Sequence, residues 1–410
     1  MINVLWAGMF LSAVLMALIH AVFMNNTQTF NLLTQAVFQN AQTAVEISIG
    51  LVGILSFWLG FLKLVEQSGI ADKISQKLTP LFQVIMKDVP GNSPAISTVV
   101  LNMAANFLGL DNAATPMGLK AMEQLQEHNP HKDTASDAQI LFMILNASSV
   151  TLIPITIFMY RAQMGASRPT EVFIPILLAT SISTLVGFLS IAVKQRIDLR
   201  NRILLKWLGG FALFIAAICC AFYLIDYDKR LAVSSVIGNI LLILLISFVI
   251  SIAVYKRVNC YEAFVDGAKE GFSVAIRILP YLLGMLVVVG VFRASGILDL
   301  FIDTIKYFCS FLQLDASFAD ALPTVFIKPF SGSGARAMMI ETMQNFGADS
   351  FAAFCSSVIQ GSTETTFYVL TVYFGAVNIS KTRYALKYAL WADVAGITAA
   401  IAVSYMFYMH

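Results

Sequence analysis

Ser68-Gly69-Ile70-Ala71-Asp72 returns as Ser295-Gly296-Ile297-Leu298-Asp299, 227 residues further on. A second pair of words, Asn146-Ala147-Ser148-Ser149-Val150-Thr151 and Gln360-Gly361-Ser362-Thr363-Glu364-Thr365, recurs at an offset of 214. Each half therefore runs in one order: apolar span, Ser-Gly-Ile link, interrupted hydrophobic segment, polar-faced span, apolar span. Repeats of this kind with broken helices mark transporters, because they build one midplane site that opens to either side.

The composition sets the solvent. Hydrophobic residues make up 58% of the 410, and charged residues only 12%. Soluble domains carry about 25% charged residues, so the deficit points to lipid. The net charge of +2 says little about partners; with no basic cluster interleaved with aromatics, no nucleic-acid partner is expected. Cys219, Cys220, Cys260, Cys309 and Cys355 form no CxxC pair and read as buried inert thiols. No metal or cofactor is expected. The apolar run near 4–23 lacks a basic flank and reads as a retained span.

A crossing helix needs about 20 apolar residues. The sequence offers about nine such segments, near 3–24, 44–65, 138–160, 172–194, 205–225, 232–255, 272–292, 349–374 and 383–408. Two more, 78–121 and 310–342, are hydrophobic but interrupted. The first carries Pro80, Pro90, Gly91, Pro94, Gly109, Pro116 and Gly118; the second carries Pro323, Pro329, Gly332 and Gly334. Both read as re-entrant hairpins, since broken backbone at membrane depth survives only inside protein or beside a water-filled cavity. The stretches 30–43 and 258–271 read as interfacial.

Loop charge orients the chain. Lys194, Arg196, Arg200, Arg202 and Lys206 lie in one loop, Lys256, Arg257 and Lys269 in another, and Lys381, Arg383 and Lys387 in a third. These read as cytoplasmic. The 25–43 segment holds no Lys or Arg and reads as external. The expected fold is an all-α polytopic membrane protein with an inverted repeat, its halves at 1–200 and 201–410. The N-terminus is then cytoplasmic and the C-terminus external.

Chemistry is sought where polar residues interrupt apolar runs. Thr98, Asn102 and Asn106 share a helical face, and Gly109 and Pro116 bracket a stretch expected to be non-helical. Asn102, Asn106, Asp111, Asn112 and Thr115, with Asn146 and Ser149, either line a site or act as interhelical glue. Ser331-Gly332-Ser333-Gly334 reads as a flexible tip whose amides suit an anion, with Lys328 and Arg336 adding charge, or as a surface loop with basic flanks. Gln360, Thr363 and Glu364 sit in an apolar segment. A charged acid at the bilayer centre costs about 2.5–3.5 kcal/mol, so Glu364 reads as a desolvated proton or cation coupler, or as a structural hydrogen bond. Asp393, Glu341 and Glu46 are weaker candidates. Glu66 and Arg293 hold equivalent repeat positions near span ends and read as interfacial anchors.

These residues carry a resemblance. The first half, through Asn102 to Leu125, Asn146 to Pro154 and the Ser-Gly-Ile link, resembles spore maturation protein A. The second half, through Lys328 to Arg336 and Gln360 to Ala376, resembles spore maturation protein B. Each half is similar to the nucleoside recognition, or gate, domain, also found in parts of concentrative nucleoside transporters and ferrous-iron permeases. The resemblance implies a fused pair of gate units and transport as the activity. The expectation is a transporter or permease in the bacterial inner (cytoplasmic) membrane, taking a small polar or anionic solute and coupled to H+ or Na+. Membrane lipid is the expected surround, and homo-oligomerisation is left open. A non-transporting scaffold or regulator of envelope or spore maturation is the alternative. An intramembrane enzyme is not expected: none of His20, His128, His131 and His410 lies near Ser331 or Ser333 in sequence, and there is no HExxH word.

Overall fold

The computed structural model describes residues 2–91, 93–107 and 111–408, without the side chains of residues 2, 71, 72, 75 and 111–113. Its elements are helical. In the first half these are α1 (Ile2–Phe23), α2 (Gln28–Ser68), α3 (Ile70–Ile85), α4 (Pro94–Phe107), α5 (Asp111–Glu127), α6 (Asp137–Ala147), α7 (Ile155–Gln163) and α8 (Phe173–Lys194). Two apolar helices follow, α9 (Arg202–Leu224) and α10 (Tyr227–Tyr255). The second half adds α11 (Cys260–Ala268), α12 (Glu270–Ala294), α13 (Ile297–Phe311), α14 (Leu322–Ile327), α15 (Gly332–Phe346), α16 (Phe351–Ser362), α17 (Thr366–Ala376) and α18 (Ala385–Tyr408).

The repeated Ser-Gly-Ile word is a repeated elbow. Gly69 and Gly296 take left-handed backbone, φ 62° and 82°, between α2 and α3 and between α12 and α13. The serine before each glycine is buried and donates its hydroxyl three residues back, Ser68 to the Val65 carbonyl and Ser295 to the Phe292 carbonyl, both at 2.7 Å. Left-handed backbone costs any residue with a Cβ, which is why glycine stands at both bends.

Among the described residues, seven helices are long and apolar enough to cross a membrane. They take in the expected spans 3–24, 44–65, 172–194, 205–225, 232–255, 272–292 and 383–408. The other two expected spans are not continuous. Segment 138–160 is broken between α6 and α7, and segment 349–374 between α16 and α17. Pro154 has no N–H to donate, and the Ser/Thr-rich breaks offer the backbone side-chain partners that compete with helix. The breaks fall on the repeated 146–151 and 360–365 words. Other boundaries move too. Pro80 and Pro116 lie inside α3 and α5, so 111–116 is helical rather than irregular. The 30–43 stretch is not a separate interfacial helix but the first part of the 41-residue α2. Of the cysteines, Cys309 and Cys355 are buried, but Cys220 is exposed and Cys219 and Cys260 are intermediate; all five are free.

The chain divides into two compact units that are not the sequence halves; each draws on both. One holds Met1–Phe61, Thr156–Pro169 and Phe264–Gln360. In it α1 lies along α12, with Ala13 and Ala17 packed in a cluster with Leu33, Ala36 and Val291. The Trp6 indole donates to the Gly284 carbonyl at 2.9 Å. The hairpin of α14 and α15 rests on α12.

The other unit holds Leu62–Ile155, Thr170–Ala263 and Gly361–His410. Here α4 and α5 pair as a hairpin, α18 lies along α8, and α6 packs on both. Its core joins Val99, Met122, Leu141, Phe142, Ile144, Phe374 and Ala389. A capping box fixes the start of α6, with Ser136 and Gln139 each satisfying the other's backbone N–H. Ser93, paired with His128 Nε2 at 2.8 Å, accepts from the Ala95 amide at the start of α4. Loops of the two halves join by a parallel bridge, Thr134 to Lys381, and by the Asp133–Lys381 ion pair at 2.7 Å. On α9 only Leu204 and Phe222 are buried, so that helix turns its apolar surface outward. The chain is a multi-pass, all-helical membrane protein. In lipid, burial of an apolar side chain gains little over contact with acyl chains, so close packing and interhelical hydrogen bonds hold such a bundle.

Candidate functional site

The two broken helices meet inside one unit. The Glu364 amide, in the α16–α17 break, donates to the Ala147 carbonyl at the end of α6 at 2.8 Å. Thr184 on α8 donates its hydroxyl to the Ser148 carbonyl, and the Leu152 amide donates to the Phe107 carbonyl at 2.8 Å. A helix end inside a membrane leaves carbonyls that water cannot satisfy. Here the second break, α8 and the end of α4 supply the partners.

Asn146 is the centre of a polar cluster beside this crossing. Its side chain is buried, and its Oδ1 accepts from Asn106 Nδ2 at 2.8 Å and from the Tyr373 hydroxyl at 3.2 Å. Its Nδ2 donates to the Phe142 carbonyl at 3.0 Å. Asn102 is fully buried and donates to the Ala114 carbonyl at 2.7 Å, with Tyr373 Oη at 3.4 Å. The Tyr373 ring stacks on Phe142, centroids 5.6 Å apart and planes 4° apart. Gly118 on α5 makes room: a Cβ there would collide with the Tyr373 hydroxyl. Asn102 and Asn106 come from the first hairpin, Asn146 from the first broken helix and Tyr373 from the second. Among the described residues, Asn102 Oδ1, Thr363 Oγ1 and Thr366 Oγ1 are buried without a hydrogen-bond partner. Left so, each costs about 1–3 kcal/mol.

The expected residues sort as follows. Asn102, Asn106 and Asn146 come together; Ser149, three residues after Asn146, and Thr363, in the α16–α17 break, are both buried. Thr98 stays outside the cluster, half-buried and bonded to the Pro94 carbonyl. Thr115 is half-buried on α5, and the side chains of Asp111 and Asn112 lie outside the described residues. Glu364 is exposed on the protein surface, in the break between α16 and α17. Tyr373 is the member that sequence reading missed, because an aromatic in an apolar segment looks like any lipid-facing ring.

The second tip lies in the other unit. Ser331 caps α15, its hydroxyl accepting from the Gly334 amide at 3.0 Å and lying 3.2 Å from the Ser333 hydroxyl. The tip is thus an ordered helix start, with Gly332 as its first residue, rather than a loose loop. Lys328 is buried and donates to the Gln360 carbonyl. Gln360 Oε1 is buried without a partner among the described residues. On α16 the Ser357 hydroxyl accepts from the fully buried Arg161 at 3.3 Å. Arg161, from the first broken helix, was absent from the expected residues; its position near the end of an apolar run disguised it as a boundary charge.

The sequence reads Arg293 as an interfacial anchor and Glu341 as a weaker candidate. They are partners. Arg293 Nε and Nη2 engage the Glu341 carboxylate, and Nη1 lies 3.0 Å from Asp299 Oδ1. Glu341 is 2% exposed. Glu66, at the repeat position of Arg293, instead pairs with Lys63 in the open.

The nucleoside recognition (Gate) family matches residues 48–165 and 275–380, more than half of the chain. Spore maturation protein A of Bacillus subtilis (strain 168) is 39% identical over 183 residues, 45% of this chain and 90% of that protein. Spore maturation protein B of the same organism is 47% identical over 148 residues, 36% of this chain and 82% of that protein. The two similarities fall on different halves. Each segment matched by the family takes in an elbow, a hairpin and a broken helix, and on that match the chain belongs to the nucleoside recognition (Gate) family.

Proposed function

We propose that the chain is a secondary transporter or permease for a small polar or anionic solute. The observation that carries this reading is the meeting of two broken helices at repeated sequence words, with buried Asn102 Oδ1, Thr363 Oγ1 and Thr366 Oγ1 unpartnered beside them. Discontinuous helices at the bilayer midplane are how such proteins offer backbone and side-chain groups to a solute. On this reading the seven continuous spans and two broken ones count as nine crossings. Loop charge then sets the N-terminus inside and the C-terminus outside. Under this count the 128–137 and 378–384 loops share the cytoplasmic face, in keeping with their hydrogen bonds to one another.

Asn102, Asn106, Asn146, Ser149 and Thr363 line the proposed solute site, and Ser331, Ser333, Lys328 and Gln360 suit an anionic group. Glu364 is the coupling acid: exposed in the protein and set in a membrane segment, it takes a proton or cation from an aqueous path. The two relatives are named for spore maturation, and transport in the service of such a process is part of this reading. The test has two stages. A thermal stabilisation screen over nucleosides, amino acids, organic anions and divalent metals identifies a solute, because a ligand of the folded state raises apparent stability. Uptake of that solute into proteoliposomes follows. Glu364→Gln is expected to abolish uphill uptake while leaving binding intact. If no solute stabilises the protein and none accumulates, a non-transporting scaffold replaces this reading.

A further inference from the structure

We propose that a cleft between α2, α12 and α15, apart from the broken-helix site, binds a neutral polyhydroxylated solute or headgroup. The cleft has a volume of about 520 Å³, within the range of roughly 300–1,000 Å³ typical of small-molecule sites. Its polar lining is Gln35, Gln39, Asn40 and Thr43 from α2, Arg293 from α12, and Glu341, Gln344 and Asn345 from α15. All of these lie in one compact unit.

Charge decides what the cleft takes. Arg293 is held by Glu341 and Asp299, and Asn345 Nδ2 donates to Glu341 Oε1 at 2.7 Å. An ionic ligand of either sign would have to break this set, leaving a buried charge exposed to the cost of losing its partner. The amides are the opposite case. Among the described residues, the exposed side chains of Gln35, Gln39 and Gln344 and the half-buried Thr43 make no hydrogen bond to protein, so a ligand's hydroxyls would replace only water there. Each glutamine offers two donors and an acceptor, the mixture that hydroxyl groups match. The lining holds no aromatic ring on which a planar base would stack; Leu32, Ala36, Gly290 and Ala294 give it small apolar contacts instead. That combination suits a puckered, hydroxyl-bearing molecule over a flat heteroaromatic one.

The placement keeps the cleft wet. At about 1.5 Å per residue α2 is about 60 Å long, twice the roughly 30 Å of hydrocarbon. Its polar N-terminal part, which carries Gln35 and Gln39, extends past the apolar part that crosses.

Equilibrium dialysis of the purified full chain in detergent, against radiolabelled glucose and sucrose at millimolar concentration, tests this directly. Dialysis is preferred to melting because sugars stabilise proteins non-specifically by exclusion. A second arm places the protein in nanodiscs with a galactosyl lipid. Binding in either arm, unchanged by added salt, is expected, and the arm that responds names the source of the hydroxyls. The Gln39→Leu/Gln344→Leu double variant is expected to weaken it about tenfold or more. Ala294→Phe, which fills the cleft, should do the same in protein that remains folded by circular dichroism. Retained binding in both variants, or binding of neither probe, overturns the proposal. These readouts are of binding at the cleft and are independent of the uptake test of Glu364.

Discussion

At the scale of single residues, the cluster around Asn146 separates a hydrogen bond that can be spared from one that cannot. Tyr373→Phe removes a hydroxyl but keeps the ring against Phe142. Asn146 still accepts from Asn106, and Asn102 still donates to Ala114. Interhelical hydrogen bonds in membranes average about 0.6 kcal/mol, so a loss of about that size is expected. Asn146→Leu instead strands two donors, Asn106 Nδ2 and the Tyr373 hydroxyl. A buried unsatisfied group costs about 1–3 kcal/mol, and the variant should be clearly the less stable in thermal unfolding in detergent. Equal losses would mean the cluster is not organised around Asn146. The asparagines were legible in the sequence because an amide in an apolar run has no cheap place to go. Arg293 and Glu341 were not legible as a pair, since 48 residues separate them and nothing local to either predicts the other.

At the scale of elements, the elbows and the breaks obey different rules. The elbow is legible: a conformational need of the backbone writes itself as a glycine at a fixed place. A Cβ on Gly296 would meet nothing within 4 Å, so Gly296→Ala tests backbone strain alone. A cost of about 1–2 kcal/mol is expected. Gly118→Ala tests close approach, because its Cβ would press on Tyr373 Oη. Overpacking costs about 1–3 kcal/mol, and this variant should also disturb the fluorescence of the Tyr373 region while Gly296→Ala leaves it alone. If Tyr373→Ala, which removes both the hydroxyl and the ring carbon that crowd this position, does not relieve Gly118→Ala in the double variant, the steric account fails. The breaks in α6–α7 and α16–α17 were harder to see. Hydropathy averages over about 20 residues, and three to seven irregular residues between two apolar helices leave that average high. The signal was the repeated polar word itself, which was read as chemistry and was also architecture. Pro80 and Pro116 misled in the other direction, since neighbouring helices let a membrane helix run through a proline.

At the scale of the whole molecule, the duplication was legible and the partition was not. The chain repeats at 227 and 214 residues, yet each compact unit takes elements from both halves. Contiguity in sequence says which segments are copies, whereas contact says which segments hold together; α7 and α17 sit in units dominated by the other copy. The loops show the same exchange. Asp133 lies on the first copy and Lys381 on the second, and the lysine beside it holds the Asp133 carboxyl below its ordinary range. That contribution is present above the unfolded value near 3.8 and fades as pH falls through the lowered one. Orientation is where the two copies must differ if the repeat is inverted. The loop after the first hairpin, near His131, and the end of the second hairpin, near Gln344, hold corresponding places in the two copies. Under the inverted arrangement they lie on opposite faces. With the five native cysteines replaced, His131→Cys should react with a membrane-impermeant maleimide only after cells are opened, as should Lys381→Cys in the loop it touches. Gln344→Cys and Asn26→Cys should react in intact cells. A parallel repeat would put His131 and Gln344 on one face, and labelling of both from the same side would rule the inversion out. It would leave the backbone meeting of Glu364 and Ala147 intact, because that contact lies within one unit and does not depend on which face is which.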